Sequence, residues 1–374
     1  MNSPLPLDDV LADATPLLDD VDPLQAELWC SDFLGAFWLQ GVDDAAAGEI
    51  IAEVLPLVEK AATPEANLLC HALAALGVEG AADAAEKLTA SGVPAPAWAA
   101  GTGVDVGECF RYADDFGDQE SLLCTFIRDA VPHAAFVLID HTLGGIAKDA
   151  FVVDDVASVL AALEEQCAQE PFTSLAPVDA TVARARMERA FAFTDAVGGD
   201  DPDLAEELGE DFAATRAFVR ARVAALPAGE AEVPADSEHE VDALVRDFVA
   251  SPEAAGLADP AWAGRLATVW ATHVAAAGDD PRRMSPGRIE ELLIDVTPGG
   301  VLLDAAGQRA VPAVAEAWLT WSLRGSWAAT LSADATAYLA EVLAEAVDEF
   351  PSGYLDLQAV LFRHGNPETV DLRG

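Results

Sequence analysis

One short segment carries most of the side chains that could do chemistry. In VLIDHTLGGIAKD, which spans residues 137–149, an apolar run leads into Asp140 and His141, and Lys148 follows shortly after. Titratable groups at the end of a buried strand are held rigidly, while the following loop gives access to them. An imidazole titrates near neutral pH. Asp140, His141 and Lys148 are therefore candidate acid/base residues of a hydrolase or transferase.

Two glycines in the same segment suggest an anion site. Gly144 and Gly145 are adjacent, and paired glycines adopt backbone angles that let their N–H groups converge on a negative charge. A purely structural interpretation is also open. In it, Asp140 and His141 end a strand, the two glycines form the corner of a hairpin, and Lys148 lies on the surface.

A second loop offers carboxylates. Within RYADDFGDQES, residues 111–121, the acids Asp114, Asp115 and Asp118 lie one strand connection away from His141. Carboxylates with an imidazole could hold a divalent metal or supply a general acid and base. Acidic pairs are also common in turns. A divalent metal cofactor is thus one hypothesis, and a turn without one is the alternative.

The elements that position these loops are predicted to be short strands. SLLCTFIR (121–128) and HAAFVLID (133–140) are apolar runs joined by a tight connection, which predicts adjacent antiparallel strands. Neither run alternates between apolar and polar residues, so we expect helices to cover both faces. AFVV (150–153) predicts a further short strand, whereas 101–108 and 171–179 are expected to be loops.

The rest of the chain has helical periodicity. The predicted helices are 24–39, 46–62, 65–77, 81–92, 154–169, 181–197, 201–226, 240–251, 260–278, 285–296, 308–325 (in register from Pro312) and 332–350, which Pro351 would end. The predicted fold is α+β and predominantly α-helical, with one small antiparallel β-sheet insert around 105–155. We expect three regions, 1–100, 101–235 and 236–374, with a linker at 227–238.

The charge excludes several classes of partner. The chain has 20 Lys and Arg against 65 Asp and Glu, a net charge of −45. Direct nucleic-acid binding and docking to anionic membranes both need concentrated positive charge. Salt adaptation, a high-GC genome or mimicry of DNA could each produce this acidity. An acidic surface would attract a basic protein partner.

Arginines are concentrated in two of the predicted helices: Arg184, Arg186, Arg189, Arg216, Arg220 and Arg222. Pairs three or four residues apart share a helix face. Ion pairing with the abundant acids is the favoured interpretation, and a docking face for an anion or protein is the alternative.

The cysteines and the N-terminal sequence indicate the compartment. Five dispersed cysteines without a CxxC motif are typical of reduced, buried thiols in the cytosol. The sequence shows no secretory signal and no apolar run of the roughly 18–20 residues that cross a bilayer. These features predict a soluble, cytoplasmic protein.

Several blocks of the chain resemble one group of proteins. The stretch from Gly117-Asp118-Gln119 through VLIDHTLGGIAKD, followed by SPGRIEELLIDV, VPAVAEAWLTWS and VDEF, is similar to uncharacterised proteins of high-GC actinobacteria. The resemblance covers residues 108–350. It implies a cytoplasmic, mostly helical protein and no particular activity.

Two functions follow as expectations. The first is an acidic protein-interaction or regulatory protein with a protein partner. The second is a metal-assisted or acid/base hydrolase or transferase centred on the Asp140-His141 and Gly144-Gly145 segment.

Overall fold

The protein is α+β and mostly helical, as its sequence predicts. The computed structural model describes residues 7–19, 22–100, 103–200, 202–229 and 241–364. Most of the predicted linker at 227–238 lies outside these residues. Over the described ranges, no helix combines the length and apolar character needed to cross a membrane.

The chain divides into two compact units. Unit 1 contains Met1–Ala113, Glu120–Asp140 and Gly145–Glu232, and unit 2 contains Asp114–Gln119, His141–Gly144 and Val233–Gly374. The first two expected regions, 1–100 and 101–235, thus contribute to the same unit. Two short hairpin ends, 114–119 and 141–144, group with the C-terminal helices.

Unit 1 combines eight described helices with an antiparallel sheet. The helices are α1 (Leu7–Ala14), α2 (Pro23–Trp38), α3 (Asp44–Ala61), α4 (Pro64–Ala75), α5 (Ala81–Ala90), α6 (Val156–Gln169), α7 (Ala180–Asp200) and α8 (Pro202–Ala225). The strands are β1 (Val104–Asp114), β2 (Gln119–Arg128), β3 (Val131–Asp140), β4 (Ile146–Val153) and β5 (Thr173–Val178). Their order across the sheet is β4-β3-β2-β1-β5.

Two expected loops are partly strands, so those expectations were wrong. β1 begins at Val104, inside the glycine-rich segment, and β5 occupies most of 171–179. β5 is an edge strand with no buried residue and contains Pro177. Its pairing with β1 makes it a strand, and such long-range pairing leaves no apolar run in the local sequence.

Helices cover both faces of the sheet, as predicted from strands that do not alternate between apolar and polar residues. Leu122, Cys124 and Phe126 of β2 contribute to one large apolar cluster, which also contains Met187 of α7 and Phe218 of α8. Residues of opposite parity point the other way. They form a smaller cluster with α6, built from Leu123, Ala134, Phe136, Val153, Val159 and Leu163.

α2 lies against α8 at very short range. A Cβ added at Gly35 of α2 would lie 2.2 Å from the Ala213 carbonyl oxygen of α8. Phe218 N donates a hydrogen bond to Ser31 Oγ at 3.0 Å. Small residues therefore allow the two helix backbones to approach each other closely.

Unit 2 is helical around a tryptophan-rich core. Its described helices are α9 (Val241–Val249), α10 (Pro260–Ala276), α11 (Pro286–Glu290), α12 (Thr297–Gly300), α13 (Ala305–Ser322) and α14 (Ala333–His364). A π-helical segment, Glu291–Val296, joins α11 to α12. Trp318 stacks edge-on against Phe248 and Trp270, with ring centroids 4.8 and 6.2 Å away.

Helix capping explains where these helices begin. Asp155 accepts from Ser158 N at the start of α6. The sequence places the start of the next-to-last helix at Pro312, but Asp304 caps the Ala306 and Gly307 amides and α13 begins earlier.

Pro351 does not end α14, which continues to His364. A proline inside a helix removes one hydrogen bond without necessarily terminating it.

Candidate functional site

Asp140 and Lys148 form an ion pair in unit 1. Asp140 is the last residue of β3 and Lys148 lies on the paired strand β4. Lys148 Nζ donates to Asp140 Oδ2 at 3.0 Å, and the Asp140 side chain is 3 % exposed while that of Lys148 is 40 % exposed. The structure thus brings these two candidates together. The pair neutralises the buried carboxylate, and its catalytic role stays a prediction.

Gly144 and Gly145 form the corner of the hairpin between β3 and β4. Both have left-handed backbone angles, with φ of 83° and 87°. Gly145 N donates to Asp140 O at 2.8 Å within unit 1, and Gly144 N donates to His141 O at 3.2 Å within unit 2. Both backbone amides therefore take part in the turn that the structural interpretation describes, and anion binding by them stays a prediction.

The three candidate metal ligands have different surroundings in unit 2. Asp114 accepts from Asp118 N at 3.1 Å and from Gln119 N at 2.7 Å, so its carboxylate caps the turn. Asp115 is exposed. Asp118 accepts from Gly287 N at 2.9 Å. Among the described residues, no group of three or more His, Cys, Asp or Glu side chains is placed to hold a metal ion.

Asp118 is the most unusual of these acids. Its Oδ1 atom is buried and makes no hydrogen bond. Burial raises the pKa of this carboxyl, although the Ser285 hydroxyl, the Gly287 amide and the Arg283 charge oppose the shift. Asp118 therefore stabilises the first turn of α11 and carries a charge in an unfavourable environment.

His141 contributes its backbone to the same part of unit 2. Its N–H donates to Asp118 O at 2.8 Å, and its carbonyl accepts from Arg288 Nη2 at 3.2 Å. Arg288 is fully buried and donates to Glu291 Oε2 at 2.6 Å. Glu291 Oε1 in turn lies 2.8 Å from His273 Nε2. These backbone contacts of His141 hold a loop in place, and its role as an acid/base group stays a prediction.

A large groove lies elsewhere in unit 1, between α3 and α8. We call it the α3–α8 groove, and its volume is about 1210 Å³. Leu34, Gly35 and Trp38 of α2 contribute to it, and the turn before α5 lies at one end. The walls are one face of α3 and one face of α8, which include Ala45, Gly48, Ala52, Leu55, Ala213, Ala217, Ala221 and Ala224.

An ion-pair cluster links the two walls of this groove. Arg216 of α8 donates to Asp44 Oδ1 at 2.8 Å and to Asp195 Oδ1 at 2.6 Å. Arg220, one turn further along α8, donates to Asp195 Oδ2 at 2.8 Å. Burial would raise the pKa of Asp44, but the hydrogen bond and charge of Arg216 lower it. The cluster ties the start of α3 to α8.

Five of the six arginines singled out in the sequence are paired with carboxylates. Besides Arg216 and Arg220, these are Arg184 with Glu188 at 2.8 Å, Arg186 with Glu120 at 2.8 Å, and Arg222 with Glu27. Ion pairing was the interpretation that the sequence favoured. A docking face for an anion has little support at residues whose guanidinium groups are already neutralised.

The α3–α8 groove is not among the sites predicted from the sequence. Its signal was nevertheless present: small residues recur every four positions along predicted helices, as at Gly48 and Ala52 and again at Ala213, Ala217 and Ala221. Such spacing places them on one helix face. Only the arrangement of α2, α3 and α8 shows that these faces line a cavity.

Comparisons with known proteins place no further constraint on the site. No known protein family, no curated protein and no solved structure matches this chain. The resemblance to actinobacterial proteins stays a prediction.

Proposed function

We propose that this protein is a cytoplasmic protein-binding module whose α3–α8 groove takes a basic amphipathic helix from a partner protein. The observation that carries the proposal is the groove itself, about 1210 Å³ in volume and lined by both apolar and acidic side chains. Grooves of this kind bind the apolar face of an amphipathic helix, while charged residues at the rim pair with charged side chains of the helix.

The charge of the groove favours a cationic partner. Six acids line it, against three basic residues: Asp44, Glu49, Glu59, Glu79, Asp83 and Glu188 against Lys87, Arg216 and Arg220. The basic residues are already engaged, since Lys87 pairs with Glu59 at 2.9 Å and both arginines pair with Asp44. The remaining potential is negative and would attract lysine and arginine side chains.

The shape of the groove favours a helix. The lining residues of α3 run from Asp44 to Glu59, a length of roughly 22 Å at the helical rise, which matches about four turns of a bound helix. Alanines on both walls, with Gly48 on α3, leave room for a third helix at the usual interaxial distance of about 8–10 Å. Leu34, Val42 and Leu55 would contact its apolar face.

The partner is a different protein rather than a second copy of this chain. A net charge of −45 makes two copies repel each other. A second copy also has few basic residues to place in an acidic groove, since the whole chain contains only 20 Lys and Arg.

The test is peptide binding by the full-length protein. The probe is a fluorescent, helical peptide of about 15 residues with leucines on one face and lysines on the other, and its counterpart with glutamates replacing lysines is the control. We expect the lysine peptide to bind with a micromolar Kd that weakens as salt increases, and the glutamate peptide not to bind.

Matched variants separate binding in the groove from attraction to a generally acidic surface. Glu49→Lys changes a lining residue of α3, and Glu53→Lys makes the same change one turn away on an exposed residue outside the lining. We expect the first to weaken binding about threefold to tenfold and the second less than twofold.

A second pair of variants fills the cavity. Ala52→Trp places a large side chain in the groove, while Ala82→Trp does so on an exposed position of α5 outside it. We expect Ala52→Trp to weaken binding at least about tenfold and Ala82→Trp to leave it unchanged, with both proteins folded by circular dichroism. Equal binding by all four variants would mean that the groove is not the binding site.

A further inference from the structure

Two cysteines of the sheet lie directly opposite each other. In the antiparallel pair of β1 and β2, Cys109 is the register partner of Cys124. Residues opposite each other in such a pair have Cα atoms roughly 4.5 or 5.5 Å apart, depending on the hydrogen-bonding position. Disulfides span Cα separations of about 4.4–6.8 Å. Either position therefore brings the two backbones within reach of a disulfide.

The two thiols also share one environment. Opposite residues point to the same face of a sheet, and Cys109 and Cys124 belong to the same apolar cluster, 4 % and 0 % exposed. Both cysteines are reduced, as are Cys30, Cys70 and Cys167.

Their interaction makes the two sulfurs chemically different. The neighbouring Cys124 thiol lowers the pKa of Cys109, although burial opposes the shift. The neighbouring Cys109 side chain, together with burial, raises the pKa of Cys124. Since the thiolate is the reactive form of cysteine, Cys109 is the more nucleophilic of the two and Cys124 is placed to react with it afterwards.

We propose that Cys109 and Cys124 are a site of reversible oxidation, at which a peroxide converts the two thiols into a cross-strand disulfide. The Cys109 thiolate attacks one oxygen of hydrogen peroxide and the O–O bond breaks, which gives a Cys109 sulfenic acid and, after protonation of the leaving hydroxide, water. The Cys124 sulfur then attacks the Cys109 sulfur. The S–S bond forms, the S–OH bond breaks, and the Cys124 proton leaves with the hydroxide as a second water.

The ladder geometry makes this disulfide easy to reduce. Opposite Cβ atoms lie about 4.5–5.5 Å apart in a sheet, whereas a relaxed disulfide holds them about 3.5–4.5 Å apart. Closing that gap strains the bond, and strained disulfides have the more oxidising potentials of labile rather than structural bridges. A dithiol reductant therefore restores both thiols.

A bulge adjoins the cysteine pair. The register of β1 and β2 shifts between Val106 and Cys109, and Thr125 Oγ1 donates to Glu108 O at 2.9 Å across the irregularity. Oxidation would link the strands directly beside this point. The disulfide would fix the register of the hairpin next to the bulge, which is the least regular part of the β1–β2 pairing.

The experiment oxidises the folded, full-length protein with hydrogen peroxide, then denatures it and alkylates the remaining thiols. We expect three alkylated cysteines instead of five, a peptide map that links Cys109 to Cys124, and recovery of all five thiols after dithiothreitol. A map that links other cysteines, or five free thiols after peroxide, would overturn the proposal. This result needs no variant, so it does not depend on how a substitution folds.

Variants test the order of the two steps. In Cys124→Ser we expect a sulfenic acid on Cys109 that dimedone traps, and in Cys109→Ser we expect no dimedone adduct on Cys124. Cys167→Ser is the matched control, because Cys167 is partly exposed and lies outside the pair, and it should form the disulfide as the wild type does. Dimedone labelling of Cys124 in Cys109→Ser would contradict the assigned roles.

Discussion

Arg222 Nε donates a hydrogen bond to His133 Nε2 across 2.7 Å in the interior of unit 1. A guanidinium only donates, so this ring nitrogen must accept and carries no proton. The other ring nitrogen, Nδ1, lies 3.3 Å from the Val131 carbonyl oxygen, to which it donates. Both partners therefore select one neutral tautomer of His133.

The neutral state of His133 makes stability depend on pH. Burial and the charge of Arg222 lower the pKa of His133 to about 4, below its value near 6.5 in an unfolded chain. Between these values the unfolded chain binds the extra proton, so stability is greatest above pH 6.5 and falls as the pH decreases towards 4. We expect the pKa difference of His133 alone to lower the free energy of unfolding by about 2 kcal/mol when the pH falls from 7 to 5.

Urea unfolding of the wild type and His133→Gln at both pH values measures this contribution. Glutamine offers Arg222 an acceptor that does not titrate, so the variant should lose about 2 kcal/mol less than the wild type over this range. The many carboxylates that both proteins share contribute equally to the pH dependence of stability in each, so their contribution cancels in the comparison. Identical pH dependence in the two proteins would show that His133 is not the group responsible.

Glu27 holds the charges around His133 in balance. It is fully buried and accepts from Arg128 Nε at 3.0 Å and from Arg222 Nη2. Glu27→Gln would leave two buried guanidinium groups without a countercharge, and we expect the variant to lose about 3–5 kcal/mol of unfolding free energy.

Glu59→Gln provides the control for this change. Glu59 pairs with Lys87 at 2.9 Å, but the Lys87 side chain is 65 % exposed. Solvent screens such a pair, so we expect only a small loss of stability, far below that of Glu27→Gln. Similar losses in Glu27→Gln and Glu59→Gln would refute the importance of burial in the Glu27 cluster.

The fold class was predictable because it depends on local patterns. Apolar runs without alternation identified β2 and β3 and the need for helices on both faces. β5 could not be recognised, since Pro177 and a lack of buried residues hide a strand that forms only by pairing with β1.

The candidate sites depend on long-range placement and were less predictable. The spacing of Arg216 and Arg220 indicated a shared face, but their partner Asp44 lies 172 and 176 positions away. The pairing of Cys109 with Cys124 depends on the bulge that shifts the register by one residue. Neither the partner nor the register follows from local sequence.

Asp118 should be destabilising in its ionised form. Burial raises the pKa of its carboxyl in the folded protein, so its contribution to stability is greatest below the ordinary aspartate pKa and is lost as the pH rises through the folded value. Asp118→Asn keeps an oxygen that can accept from Gly287 N and removes the charge. We expect the variant to match or exceed the wild type at pH 7, by up to about 1 kcal/mol, and to lose this advantage near pH 4.

Two further variants isolate the charge from the hydrogen bond. Asp118→Leu removes the acceptor and leaves the Gly287 amide without its partner, which should cost about 1–2 kcal/mol at either pH. Asp115→Asn alters the exposed neighbour and should change stability little. The interpretation fails if thermal unfolding shows Asp118→Asn to be clearly less stable than the wild type at pH 7.

The close approach of α2 and α8 predicts opposite effects for the same substitution at two glycines. In Gly35→Ala, the new methyl group would lie 2.2 Å from the Ala213 oxygen and 2.5 Å from its carbonyl carbon. These are backbone atoms that cannot rotate away, so the helices must separate, at a cost of about 1–3 kcal/mol or more. Gly48→Ala in α3 meets no atom within 4 Å and should gain about 0.5–1 kcal/mol, because alanine favours the helix more than glycine does. Urea midpoints of the two variants should therefore move in opposite directions. A Gly35→Ala protein as stable as the wild type would mean that α2 and α8 can separate without loss of the surrounding packing.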